Sequence, residues 1–276
     1  MSNTQSQIFD TARMLANRAR ARLMNADYDF LRAEIADRMQ DRLQDVNRLF
    51  DNILDVGDDL VRFTGRKNSA DIATLSDAPL ALLQGHYGLI VSNLILHWVN
   101  DLPGLLIQFN KALKPDGLLL ASLFGGETLK ELRHALLSAE AEITGGANAR
   151  IIPFADVKDL GSLLQRAGFA LPVADTDTIT VTYDHPLKLM QDLRGMGEAN
   201  ALLGRSRKPL QRGVLQRACE IYQENHGMPN GRIPATFQIM YLTGWHPHES
   251  QQKPLKPGSA TMRLADALAK GKPKSG

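Results

Sequence analysis

Between residues 89 and 124 the chain carries the pattern that most narrows its fold, two apolar strands joined by a helix. Leu89 to Leu96 predicts the first strand, and Asp101 to Leu113 an apolar helix with Pro103 in its first turn. Lys114-Pro115-Asp116-Gly117 predicts a turn, and Leu118 to Phe124 a continuous apolar strand suited to the middle of a parallel sheet. Upstream, Asn52 to Gly57 reads as a short buried strand ending at glycine, the way the first strand of a doubly wound sheet delivers the chain to a ligand. Roughly thirty residues separate this strand from the next clear one, where a full domain of this kind needs two more strand and helix units of about 30 residues each. At least one unit must be missing or reduced.

The remaining elements follow from periodicity. Leu31, Ile35, Met39, Leu43 and Val46 place one or two covering helices within residues 8 to 50. Leu129, Leu132, Leu136 and Ile143 form one helical stripe over Thr128 to Ile143, and Val157, Leu160, Leu164 and Ala167 another, stopped by Gly168. Thr178 to Tyr183 alternates as a half-buried strand at an antiparallel edge, and Ala235 to Trp245 predicts the final strand. Between these two, residues 186 to 226 return to helix, opened by Pro186 and again by Pro209 and interrupted by Gly195 and Gly197. This divides the chain into an N-terminal helical segment (1–50), an α/β domain (51–250) with a helical insertion at 186–226, and a basic tail (251–276) rich in lysine, proline, glycine and serine.

Composition narrows the functions. With 32 basic against 30 acidic residues the charge gives no argument for nucleic acid as partner. The single cysteine, Cys219, excludes an internal disulfide and a cysteine-rich metal site. No apolar run approaches the roughly 18–20 residues that cross a bilayer, so a soluble, cytoplasmic protein is expected, with at most weak peripheral membrane contact. Arg13, Arg18, Arg20 and Arg22 crowd Thr11 to Met24 without an acid. A transit peptide or membrane-facing helix is one reading, and a solvated helix face the preferred one.

Eight segments in order carry a resemblance: His97-Trp98-Val99-Asn100-Asp101-Leu102-Pro103, Leu113-Lys114-Pro115-Asp116-Gly117, Phe124-Gly125-Gly126-Glu127-Thr128-Leu129, Asp159-Leu160-Gly161, Arg166-Ala167-Gly168-Phe169, Gly195-Met196-Gly197-Glu198, Pro234-Ala235-Thr236 and His248-Glu249-Ser250-Gln251. Over roughly residues 90 to 260 the chain resembles the methyltransferase-fold assembly factors of respiratory complex I that hydroxylate an arginine of a subunit, with their alphaproteobacterial relatives. More distantly it is similar to the malonyl-carrier-protein methyltransferase of biotin synthesis. The resemblance implies a class I, Rossmann-like S-adenosylmethionine methyltransferase fold, reduced in its first half, and a protein substrate among complex I subunits.

It also implies a cofactor bay built on Asp55 and Gly57, with Ser92, Leu94, His97 and Trp98 at and beyond the end of the second clear strand, where open α/β sheets bind ligands. Asp71 and Asp77 lie near the distance expected of a ribose-binding acid, Asp77 being the one chosen, though neither follows a clear strand and a loop carboxylate is the competing reading. The glycine loop departs from the pattern: Asp58 and Asp59 put two carboxylates where that of the cofactor should lie, so S-adenosylmethionine is expected at a degenerate site.

Arg194, Met196, Glu198 and Asn200, with Asp192, fall in the helical insertion, which at this position implies a lid; Glu198 is then placed to pair with a cationic arginine. A helix end followed by a capped turn is the competing reading. For His97 and Trp98 the structural alternative is a histidine bonded to a carbonyl and a tryptophan packed on the next helix. Asn100 and Asp101 read as helix caps. His246 and His248 beside Glu249 have metal-ligand chemistry, but ordinary hydrogen-bonding histidines are the preferred reading. Three functions remain open: a complex I maturation factor, which is chosen, a working methyltransferase on a small molecule or carrier protein, and a non-catalytic binding protein.

Overall fold

The computed structural model describes residues 7–24, 26–46, 48–57, 70–73, 75, 78–146, 148–154 and 156–252; of Ala26 and residues 70–73 only the backbone is described. Asp58, Asp59, Asp77 and the tail from residue 253 lie outside these residues, as does the side chain of Asp71.

Six strands form one sheet in the order β2-β1-β3-β4-β6-β5: β1 Ile53–Val56, β2 Ala70–Ala73, β3 Tyr87–Asn93, β4 Leu113–Phe124, β5 Ala170–Tyr183 and β6 Ile233–Trp245. The first four run parallel, while β6 is antiparallel to both β4 and β5. Every residue of β3 is buried, and so is β4 from Leu118 onward, because helices cover both faces. Helices α2 (Phe30–Asp45), α4 (Lys130–Thr144), α6 (Pro186–Gly195) and α7 (Arg212–His226) pack on the face presenting Ile53, Leu89, Val91 and Leu120. Helices α1 (Thr11–Arg22), α3 (Leu102–Ala112) and α5 (Val157–Arg166) cover the face of Leu54, Ile90 and Leu119.

Aspartates start the helices on this second face. Asp10, Asp101 and Asp156 accept from the backbone N–H of Arg13, Gly104 and Lys158 and so satisfy amide groups that lack an intrahelical partner. Asn100 is not a cap, as the sequence suggested. Its Oδ1 accepts from Ile8 N and Phe9 N, both at 2.8 Å, and its Nδ2 donates to Phe9 O, pinning the segment that leads into α1.

Two further expectations are corrected. The strand starting at Tyr87 ends at Asn93 instead of reaching Leu96, because Leu94 turns left-handed (φ 47°) and Leu96–Trp98 coil into a 3-10 turn. Residues 114–117 do not separate α3 from its strand. The strand begins at Leu113 and absorbs them as a bulge, with Asp116 at φ 63° and the register against β3 jumping between Tyr87 and Leu89. In the short interval after β1 the described residues hold one strand, β2, where a full domain would have two.

Candidate functional site

The left-handed turn at Leu94 decides where the site lies. By ending β3 early it folds the next residues back over the carboxyl ends of β3 and β4, which buries His97 and Trp98 (7% and 2% exposed). The turn is held from two sides: Leu94 N–H donates to Ser122, and Arg18 of α1 donates to Leu94 O at 3.1 Å. Ser92 is spent one step earlier, its Oγ donating to Val56 O at 3.0 Å and tying β3 to the end of β1.

The opposite half comes from the insertion. Helix α6 ends in a Schellman motif, in which Gly197 (φ 82°) donates to Arg194 O and Glu198 to Leu193 O. The competing reading of a helix end with a capped turn is what the structure shows, and the turn drives the Glu198 side chain inward. There Oε2 accepts from Trp98 Nε1 at 2.9 Å and sits 3.0 Å from His97 Nε2, while Oε1 lies 3.9 Å from Arg32 Nη2. His97 meets this carboxylate instead of a carbonyl, while Trp98 both donates to it and packs in the cluster of Leu105 and Leu106 from the next helix, α3.

Electrostatics fixes the protonation. Burial pushes the His97 imidazole below its ordinary value, and Arg18 and Arg32 add to that, outweighing Glu198. Burial would raise the Glu198 carboxyl, but His97, Arg18 and Arg32 together hold it below the usual carboxylate range. The consistent state is an ionised Glu198 facing a neutral His97. A carboxylate only accepts, so His97 carries its proton on Nε2 and leaves Nδ1 as a buried lone pair, with no hydrogen-bond partner. The ring is surrounded by Phe124 at 4.8 Å, Trp98 at 5.5 Å and Phe154 at 5.9 Å between centroids.

Two cavities meet at Trp98. One, of about 200 Å³, lies under α1 and is lined by Thr11, Met14, Leu75, Leu80, Trp98 and Asp101 among others. The second is a narrow space of about 40 Å³ walled by Trp98, Phe124, Phe154, Phe237, Glu198 and Asn200.

The other expected residues are distributed unevenly. Met196 is buried against the core, and Asn200 holds Ala149 O at 2.9 Å while lining the narrow cavity. Arg194 is exposed and does not join them. Asp55 is fully buried within β1, on the face of Ile53. Gly57 keeps the backbone that glycine is needed for, at φ 130°, but the cavity under α1 is lined by neither Gly57 nor Asp55. His246 pairs with Asn110 and His248 with Ser250, each at 2.7 Å, and no cluster of three metal-ligating side chains occurs among the described residues.

Sequence reasoning missed Arg18, Arg32, Phe154 and Phe237. For Arg18 there was a signal: it follows Met14 by one turn on the buried stripe of α1, so it faces inward, 7% exposed, and the solvated face expected of that stretch is wrong at this position.

A mixed sheet with this strand order, and a site at the carboxyl ends of its parallel strands, defines a methyltransferase-type domain; residues 9–172 match the family described as "Methyltransferase domain". The arginine-hydroxylase NDUFAF5 of Danio rerio is 41% identical over 91% of this chain and 85% of its own length, and that of Homo sapiens 39% identical over 87% and 76%. A malonyl-[acyl-carrier protein] O-methyltransferase of Laribacter hongkongensis is 36% identical over 72% of the chain and 64% of its own length. The chain belongs to the arginine-hydroxylase NDUFAF5 family, built on a methyltransferase domain.

Proposed function

We propose that this protein hydroxylates an arginine of a subunit of the respiratory NADH:quinone oxidoreductase during its assembly, acting from the cytoplasm, with Glu198 as the acceptor for the target guanidinium. The reading is carried by the likeness to an arginine hydroxylase over 91% of this chain and 85% of that relative. The site is consistent with it. An ionised carboxylate at the edge of an aromatic-walled cavity suits a planar cation, which such rings attract through their faces. In this role Glu198 exchanges part of its contact with Arg32 for the substrate, Trp98 and His97 keep it oriented, and the closed lid excludes water.

The test is made in the source organism. Complex I is isolated from wild-type and deletion strains, and arginine-containing peptides of its subunits are weighed for one added oxygen. The expected result is an oxygen present in the wild type, absent in the deletion, restored by the wild-type gene and not by Glu198→Ala. Normally assembled complex I with unchanged arginines in the deletion strain would overturn the reading.

A second reading, methyl transfer, is favoured by the match of residues 9–172 to a methyltransferase domain. S-adenosylmethionine would supply an electrophilic methyl group, held by Asp55, Gly57 and the turn at Leu94. Calorimetric titration discriminates the two. Binding abolished by Gly57→Val, with methylated product, supports this second reading; no heat at millimolar cofactor removes it.

A further inference from the structure

A groove of about 500 Å³ is lined by Arg133 and Leu137 of α4 and by the segment 148–154, and Glu198 has no part in it. Its walls are mostly aliphatic, with Leu137, Ile151, Ile152 and Pro153 among them. Two cations line it as well, Arg133 and Arg150, and no carboxylate does. A space of this size, apolar with a few charged groups, has the form of a small-molecule site.

The two arginines stand in different electrostatic positions. Nε and Nη2 of Arg150 both donate to Glu140, so its charge is matched within the wall. Glu140 is 3% exposed and also accepts from Asn148 N at 2.7 Å and Nδ2 at 3.0 Å, which fixes the segment and uses the carboxylate up inside it. Arg133 has no such partner. Its Nη1 donates to Gly126 O at 3.2 Å and its Nη2 to Thr128 O at 3.1 Å, and among the described residues it forms no ion pair. Every other half-buried arginine among the described residues has a carboxylate within 4.0 Å.

Carbonyl oxygens orient a guanidinium without cancelling its charge, and two such bonds leave further N–H donors on the fork. A charge drawn partly out of water is unfavourable unless it is paired. The groove therefore carries one uncompensated positive charge. Leu137 follows Arg133 by one helical turn on the same face of α4 and is 37% exposed. Charge and aliphatic surface thus succeed one another along this wall. A cation entering here would meet two guanidinium groups and no acid, whereas a singly charged anion with an apolar body is complementary to both parts.

We propose that the groove binds a small amphipathic carboxylate, whose head pairs with Arg133 and whose aliphatic chain lies against Leu137 and Ile151. A carboxylate is chosen over a phosphate because its single charge equals the one left unmatched. The site is separate from the arginine-modifying reading above and does not rest on it.

The test titrates the full chain calorimetrically with octanoate, with octanol as the same chain without the charge, with octyltrimethylammonium and with inorganic phosphate. Octanoate is expected to bind at least about tenfold more tightly than octanol. Arg133→Gln should remove that preference and leave octanol binding as it was, while Leu137→Ser should weaken both. Val173→Ser, on an exposed position of β5, is the control and should bind as the wild type. Thermal midpoints report whether the variants are folded, and the comparison of octanoate with octanol needs no variant at all.

The proposal is overturned if octanoate gives no heat, or if octanol or the ammonium binds as tightly as octanoate. It is equally overturned if inorganic phosphate alone matches octanoate, which would make the chain irrelevant, or if folded Arg133→Gln keeps the preference for the charged probe.

Discussion

At the scale of single residues, Glu198 Oε2 carries two buried donors, so removing it and weakening it are different experiments. Glu198→Ala leaves Trp98 Nε1 and His97 Nε2 without an acceptor, and each buried orphan costs about 1–3 kcal/mol. Glu198→Gln, with its carbonyl oxygen in the Oε2 position, keeps an acceptor for both. Denaturant unfolding should therefore show a loss of about 2–4 kcal/mol for the alanine variant and less than half of it for glutamine; equal losses would mean that the bonds contribute nothing beyond packing.

His97 gives a pH signature. Its folded value is depressed, so below the ordinary 6.5 the unfolded chain takes up a proton that the folded chain refuses. Stability contributed by neutral His97 is thus full above 6.5 and falls as pH drops through that value. Glu198 acts in the same direction lower down, its contribution being present above 4.5 and lost as pH falls through its depressed folded value. His97→Gln keeps a donor toward Glu198 but cannot titrate. The fall in unfolding midpoint between neutral pH and pH 5.5 should be smaller in this variant than in the wild type, and an unchanged fall would remove His97 as its source.

Legibility at this scale was partial. Glu198 stood out because glycines flank its neighbour Met196, but its partners His97 and Trp98 lie a hundred residues away, and no local pattern announces such a pairing. Arg18 was misread because its neighbours Arg13, Arg20 and Arg22 suggested one solvated strip, whereas a helix distributes successive residues over different faces.

At the scale of elements, α6 depends on a glycine for its seat. A Cβ on Gly195 would strike the Tyr28 ring, which lies against the end of α6, so the contact cannot be relieved by a flexible side-chain tip. Gly195→Ala should cost about 1–3 kcal/mol through overpacking, and it should loosen the turn that presents Glu198. Thermal melting checks the first effect. The second is read as increased quenching of Trp98 fluorescence by acrylamide, in a Trp245→Phe parent that leaves Trp98 as its single tryptophan. A melt and quenching curve identical to the parent would show that the ring simply moves aside.

Most elements could be read from apolar spacing, since a strand apolar on every residue or a helix apolar on one stripe has few other uses. The edge strand expected from Thr178 begins at Ala170, and two other boundaries that failed, at Leu94 and at residues 114–117, share a cause. Leu94 and Asp116 adopt positive φ without being glycine, where Leu94 is held by Ser122 and Arg18, and Asp116 by His246 just beyond β6. Boundaries set by tertiary contacts leave no mark in the sequence around them.

At the scale of the whole molecule, the site is assembled from the chain's distant parts. The segment before α1 is pinned by Asn100, bridges Phe9 to Leu202, and passes the Asp10 N–H to Ala201 O, while Asn17 holds Ala199 O. The sheet order could be anticipated in outline because parallel strands with helical crossovers admit few arrangements. This closure could not, because its contacts join residues as far apart as Ile8 and Leu203.

The consequence is one of timing. Contacts between residues so far apart form only after the cost of closing a long loop has been met, and a chain emerging from the ribosome has no residue 198 to offer while α1 waits. The paired strands β3 and β4 can form without it. In refolding followed by pulsed hydrogen exchange, amides of Ile90, Val91 and Leu120 should gain protection before those of Asp10 and Leu203, which donate to Ala201 O and Ile8 O. Simultaneous protection would contradict this order. A half-made chain thus holds β3 paired with β4 and no closed site, because Glu198, Asn200 and Phe237, which wall it, are still to come.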